Sequence, residues 1–181
     1  RMLLNSGWDN PLSLKALCGG EALSRDLAEK LLEKCNSVWN VYGPTETTIW
    51  STIKNLKSGE INMTIGSPIH NTQIYILDEE QGLVPEGNIG EIYIGGDGVA
   101  RGYHRRPELT SERFFKDPFS AVKDARMYRT GDLGKFLENG EILCLGRVDH
   151  QVKIRGHRIE LGEIEQKVIQ IEGIKEAVVI A

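Results

Sequence analysis

The chain has 181 residues, 40% hydrophobic and 27% charged, which is ordinary globular composition for one domain, or for one domain with part of another. Its formal charge of −4 gives no reason to expect a nucleic-acid partner, and Cys18, Cys35 and Cys144, far apart and odd in number, read as buried free thiols rather than disulfides or metal ligands. No apolar run reaches membrane-spanning length and no secretory leader is visible, so a cytoplasmic protein without a membrane partner is the expectation.

In chain order, Leu14 to Cys18 reads as a buried strand ending at Gly19-Gly20. Ser24 is a helix N-cap, and Leu23, Leu27, Leu31 and Leu32 recur at helical spacing. Val38 to Tyr42 is a second strand, and strand, helix, strand in short order predicts a parallel α/β layer. Ligands of such sheets collect at the carboxyl ends of the strands, here Gly19 and Gly43. From about Gly66 the character changes. Gln73 to Asp78 and Glu91 to Ile94 flank a turn-rich segment, and Asn139-Gly140 between apolar runs is a hairpin signal. That zone is expected to be a small, mostly antiparallel barrel or bent sheet. Beyond Asp149, Val152 to Ile154 reads as a strand, Ile164, Val168 and Ile171 as one face of a helix, and Ala177 to Ile180 as a second buried strand. This third zone is the opening βαβ of an α+β domain.

Three polar motifs punctuate these elements: Asn40-Val41-Tyr42-Gly43-Pro44-Thr45-Glu46-Thr47-Thr48, Tyr128-Arg129-Thr130-Gly131-Asp132-Leu133, and Gly146-Arg147-Val148-Asp149-His150-Gln151-Val152-Lys153-Ile154-Arg155-Gly156. In the first, Pro44 fixes φ and Gly43 tolerates unusual backbone angles, so a tight turn presents Thr45 and an exposed Glu46 past a strand end. One such carboxylate is an adequate protein contribution to Mg²⁺ bound with phosphates. Asp132 can accept hydrogen bonds on both oxygens. Taken singly, each motif is also a plain turn. His70, His104, His150 and His157 are scattered and carry no metal-ligand spacing.

The three motifs in this order resemble the adenylate-forming enzymes, and within them the amino-acid adenylation domains of nonribosomal peptide synthetases. Val99-Ala100-Arg101-Gly102-Tyr103 and Arg106-Pro107-Glu108-Leu109-Thr110 point to the peptide synthetases more than to acyl-CoA ligases. The resemblance implies an α/β plus β fold: residues 1–65 the C-terminal part of an α/β subdomain, 66–147 a distorted antiparallel β-barrel subdomain, and 148–181 a hinge and the start of an α+β C-terminal lid domain. It implies ATP-dependent activation of an amino acid to aminoacyl-AMP, then thioester formation on the phosphopantetheine of a peptidyl carrier domain, among neighbouring synthetase modules.

By the same resemblance, Glu46 holds Mg²⁺ against the ATP phosphates with Thr45 beside it, and Tyr42 packs on adenine. Gly20, Glu21, Ala22, Asn40 and Gly43 border the nucleotide. Asp132 takes the ribose hydroxyls, Arg147 reaches ribose and phosphate, and Asp149 is the hinge. Leu17, Gly19, Val41, Ile49 and Trp50 line the amino-acid pocket, which would favour an uncharged side chain because an unpaired buried charge is costly. Gly156 lies beside the phosphopantetheine arm. Lys153, Arg155 and Arg158 read equally as a solvated face. The run from Gly90 to Phe114 is read as structural.

Arg1-Met2 reads as a cut through a longer polypeptide. The family's phosphate loop, its amino-group-binding aspartate and its catalytic lysine would lie outside these residues, so the isolated chain is expected to adenylate nothing measurable. Two alternatives stay open: an acyl- or aryl-acid ligase that transfers to coenzyme A, and a non-catalytic nucleotide-binding module.

Overall fold

A computed structural model describes residues 2–8, 11–149, 151–154 and 157–180. His150, Arg155 and Gly156 lie outside the described residues.

After a short helix α1 (Met2–Asn5), the first sheet runs in the order β1 (Leu12–Cys18), β2 (Cys35–Tyr42), β3 (Thr52–Asn55), β4 (Ser67–Pro68). Helix α2 (Arg25–Leu32) makes the crossover that lets β1 and β2 run parallel. Ser24 caps it as its spacing predicts, its hydroxyl accepting from the Leu27 amide at 3.4 Å. Ala28 meets Val38 and Leu56 in a cluster that Leu23, Leu31 and Leu32 cover. β3 and β4 then pair antiparallel, so the layer is mixed rather than parallel throughout. The expected burial of β1 is also corrected. It pairs only β2 among the described residues, and Leu14 and Leu17 stand about half exposed.

The second sheet is antiparallel and five-stranded: β5 (Thr72–Leu77), β6 (Gly90–Gly96), β8 (Arg126–Phe136) and β7 (Phe114–Lys116) in that order, with β9 (Ile142–Arg147) also on β8. Successive side chains of its strands point to opposite faces. Ile74 faces Ile94 and Ile76 faces Ile92 across β5 and β6, and these four join Ile65 and Ile142 in one core. The opposite face buries Leu77, Tyr93 and Met127. At the predicted hairpin the Leu137 amide donates to the Glu141 carbonyl at 2.8 Å, closing the Asn139-Gly140 turn. A helix, α3 (Pro107–Arg113), precedes β7 within the run that was read as structural.

The two sheets meet at Gly66. The Ile65 amide donates to the Ile142 carbonyl and the Ile142 amide to the Gly66 carbonyl, each at 2.9 Å. Beside them Lys54 on β3 pairs with Glu141, which also accepts from the Thr64 hydroxyl at 2.9 Å.

The third zone departs from expectation. β10 (Gln151–Ile154) turns back into β11 (His157–Glu160), an antiparallel pair that runs straight into α4 (Leu161–Ile169). The order is therefore hairpin then helix, not βαβ. Ala177 to Ile180 forms no strand: no described strand pairs with it, and Val178 and Ile180 are 84% and 88% exposed. Ile171 lies past the helix end. No helix among the described residues is long and apolar enough to cross a membrane.

Candidate functional site

β8 and β9 place Asp132 directly opposite Arg147, and the end of β2 brings Tyr42 over from the other sheet. The Tyr42 hydroxyl donates to Asp132 Oδ2 at 2.6 Å and Arg147 Nη1 to Oδ1 at 2.7 Å. Arg147 turns its remaining edge to Asp149, with Nε to Oδ1 at 2.6 Å and Nη2 to Oδ2 at 2.8 Å. Bidentate pairing of this kind fixes orientation as well as charge. Arg113 from α3 stands 3.7 Å from Asp149. Asp132, Tyr42, Arg147 and Asp149, named separately in the sequence, thus form one chain of contacts.

The electrostatics follow from that arrangement. Burial works against the charge of Arg147, yet Asp149 and Asp132 hold its pKa above the ordinary range. Burial likewise opposes ionisation of Asp149, but Arg147 pulls its carboxyl below the usual value. That pairing stabilises the fold near neutral pH, and the contribution is lost as pH falls through the lowered pKa of Asp149. Tyr42 is pushed up by burial and by the adjacent Asp132 carboxylate, so it stays a donor. Cys144, a free thiol like Cys18 and Cys35, is pushed up by burial.

Asp132 is aimed by its neighbours on β8. Gly131 has φ +78°, and its amide donates to Glu91 Oε1 at 3.0 Å. Glu91 is itself clamped by Arg129, whose Nε lies 2.9 Å from both oxygens. The Thr130 hydroxyl donates to the Ile92 carbonyl and accepts from the Asp132 amide. A Cβ at Gly131 would stand 2.6 Å from Arg147 Nη2 and 3.1 Å from Asp149 Oδ2. Gly131→Ala is therefore expected to lower stability by about 1–3 kcal/mol, measured by denaturant unfolding.

Thr45–Thr47 form a single 3₁₀ turn after Pro44. The predicted exposure of Glu46 is corrected: it is 8% exposed, because Tyr103 Oη donates to its Oε1 at 2.6 Å and the turn folds under residues 98–103. Gly43 is required for space rather than for its φ, since a Cβ there would meet the Ile49 carbonyl at 2.6 Å. A cavity of about 380 Å³ opens beside Thr45 and Glu46, with Tyr103, Leu109, Arg113 and Glu160 on its other walls. No group of three metal-ligating side chains occurs among the described residues. One carboxylate and one hydroxyl at a cavity are, however, hard oxygen donors of the kind Mg²⁺ takes when phosphates complete its shell.

The remaining predicted positions divide. Asn40 is buried and donates to the Thr64 carbonyl at 2.8 Å, which makes it a tie between segments. Gly20, Glu21 and Ala22 form an exposed loop beyond β1. Of the proposed side-chain pocket, Val41 is buried under Gly19, while Leu17, Ile49 and Trp50 are open to solvent. Thr48 and Ile49 both have positive φ, rare for β-branched residues. Lys153 is not merely solvated: its ammonium lies 5.8 Å from the Tyr42 ring centre. Tyr103, Arg113 and Glu91, all within the run that reads as structural, border this site, and a glutamate near the start of an otherwise apolar strand is the signal for Glu91.

The model of the AMP-binding enzyme family matches residues 1–104. Malpinin synthetase of Mortierella alpina is 54% identical over 170 residues, covering 91% of this chain and 2% of its own length. Tyrocidine synthase 1 of Brevibacillus parabrevis is 52% identical over 168 residues, covering 91% of this chain and 15% of its own. Among solved structures, a four-domain nonribosomal peptide synthetase bound to AMP and glycine gives a TM-score of 0.76 at 53% identity, over 99% of this chain and 14% of that one. A protein containing adenylation and PCP domains, bound to a vinylsulfonamide inhibitor, gives 0.84 at 31% identity, over 92% of this chain and 30% of that one.

Proposed function

Because the chain belongs to the AMP-binding enzyme family, we propose that it is part of an adenylation domain that activates an amino acid with ATP. The substrate carboxylate attacks the α-phosphorus, the bond to pyrophosphate breaks, and aminoacyl-AMP remains. A carrier-domain thiol then attacks the acyl carbon and AMP leaves, giving the thioester. The observation that carries this reading is the Tyr42–Asp132–Arg147–Asp149 chain at the meeting of two sheets. Each carboxylate oxygen has two acceptor sites, so Asp132 keeps capacity for two ribose hydroxyls while bonded to Tyr42 and Arg147. Arg147 supplies a cation on the phosphate side. Asp149, held by Arg147, is the hinge candidate, since a few residues at an element end absorb such a rotation.

Thr45 and Glu46 are the groups of this chain that would hold Mg²⁺, which neutralises charge on the phosphates when bound. Residues 1–65, 66–147 and 148–181 are assigned to the α/β subdomain, the barrel subdomain and the start of the lid. A partner carrying phosphopantetheine fits the relatives that combine adenylation and PCP domains. The test is ATP–pyrophosphate exchange by the polypeptide that carries this chain, across amino, aryl and fatty acids. Exchange with one or a few amino acids is expected. Exchange only with other acids would move the chain to the acid ligases, and none in folded protein would sink the enzymatic reading.

A further inference from the structure

We propose that Tyr103 is a positioning residue that fixes the Glu46 carboxylate in the orientation from which it meets a divalent cation; this deepens the adenylation reading and rests on it. Residues 97–106 belong to neither sheet, yet they are tied to the Thr45–Thr47 turn at three points. The Ala100 amide donates to the Glu46 carbonyl at 2.8 Å, the Thr48 hydroxyl to the Gly98 carbonyl at 2.8 Å, and Tyr103 Oη to Glu46 Oε1 at 2.6 Å. The first two set the height of the turn. The third acts on the side chain itself.

Tyr103 is held at both ends. Its amide donates to Thr110 Oγ1 at 2.9 Å, its ring stands edge-on to Phe114 at 5.4 Å, and its hydroxyl lies 3.5 Å from that of the fully buried Tyr128. A hydroxyl anchored this way to the core has little freedom left to lose. Glutamate, in contrast, has several rotors whose freedom would otherwise oppose binding. Mg²⁺ is the cation for which this matters, because it demands near-ideal octahedral geometry. Both Tyr103 and Glu46 wall the cavity beside Thr45, so the oriented group borders open space.

The experiment uses the polypeptide carrying this chain, with Tyr103→Phe, which keeps the ring and deletes the donor, and with Glu46→Gln. Mn²⁺ is titrated in the presence of ATP without amino acid, free Mn²⁺ being read by its paramagnetic resonance. ATP–pyrophosphate exchange is measured in parallel against Mg²⁺. The expected result is about tenfold weaker Mn²⁺ binding in Tyr103→Phe, the size expected when the cation must itself order the freed glutamate rotors. The Mg²⁺ needed for half-maximal exchange should rise by a similar factor, with kcat at saturating Mg²⁺ little changed and melting within a few degrees of wild type. Unchanged Mn²⁺ binding in Tyr103→Phe, with weakened binding in Glu46→Gln, would overturn the inference and leave the adenylation reading standing. Unchanged binding in both variants would remove the metal role of Glu46 itself. Failure of Tyr103→Phe to fold would also overturn it, by making the hydroxyl a requirement of the fold.

Discussion

On the adenylation reading, Asp132→Ala is expected to lower ATP–pyrophosphate exchange by about three orders of magnitude in the polypeptide that carries this chain, with a raised KM for ATP. The size follows from the number of bonds lost. On that reading two ribose hydroxyls would donate to one carboxylate in two charge-assisted hydrogen bonds, each worth about 1.5–3 kcal/mol. The substitution also takes from the Tyr42 hydroxyl and Arg147 Nη1 the acceptor each of them uses. The fold should survive, because Arg147 keeps its two bonds to Asp149 and the Gly131 amide keeps Glu91. Circular dichroism and thermal melting of the same preparation separate lost binding from lost structure. A loss under tenfold in well-folded protein would remove Asp132 from the nucleotide site. Asp132→Asn, isosteric but uncharged, should fall between alanine and wild type.

Gly66→Ala is the substitution expected to damage the fold most, by about 4 kcal/mol or more. Gly66 has φ +79°, and a Cβ there would lie 2.0 Å from the Ile53 carbonyl oxygen and 2.8 Å from Lys54 Cβ. The nearest obstacles are backbone and the first atom of a side chain, so no rotamer change relieves the contact. Relief requires β3 to move away from β4, and that pulls on the Ile142 bonds at the same time. Urea unfolding should show a lowered midpoint with an unchanged slope. A midpoint within experimental error of wild type would mean that the junction relaxes freely, contrary to its packing.

Much of the second sheet could be read from the chain, because Gln73–Asp78 and Glu91–Ile94 are short apolar runs on either side of a turn-rich segment and Asn139-Gly140 names its own turn. β3, β4, β7 and β11 could not. Each has four residues or fewer, and His157–Glu160 offers one isoleucine among polar groups, so no period shows. Ala177–Ile180 erred in the opposite direction. Four apolar residues look like a strand, but a strand exists only through a partner, and local sequence does not state whether there is one. The positive φ of Thr48 and Ile49 was illegible for a related reason, since β-branched residues advertise extended backbone.

The candidate site divides along similar lines. Asp132, Arg147 and Glu46 were named from their motifs, but not their mutual arrangement. That depended on β8 and β9 setting Asp132 against Arg147 across 15 positions of sequence, and on Tyr42 arriving from another sheet. Tyr103 lies in the run that reads as structural, and only the folded path brings its hydroxyl to Glu46. Polar residues that act through a neighbour leave no period and no spacing of their own.

Gly66, Lys54, Thr64 and Glu141 also bear on how such a protein can be recombined. The β8–β9 hairpin of one sheet supplies the partners on which the end of the other depends. A chimera spliced between residues 65 and 66, at the outward change of character in the sequence, would join Glu141 from one parent to Lys54 and Thr64 from another. It would also ask two unrelated backbones to share the bond from the Ile65 amide to the Ile142 carbonyl. Transplanting residues 52–142 together keeps every one of these ties within a single parent.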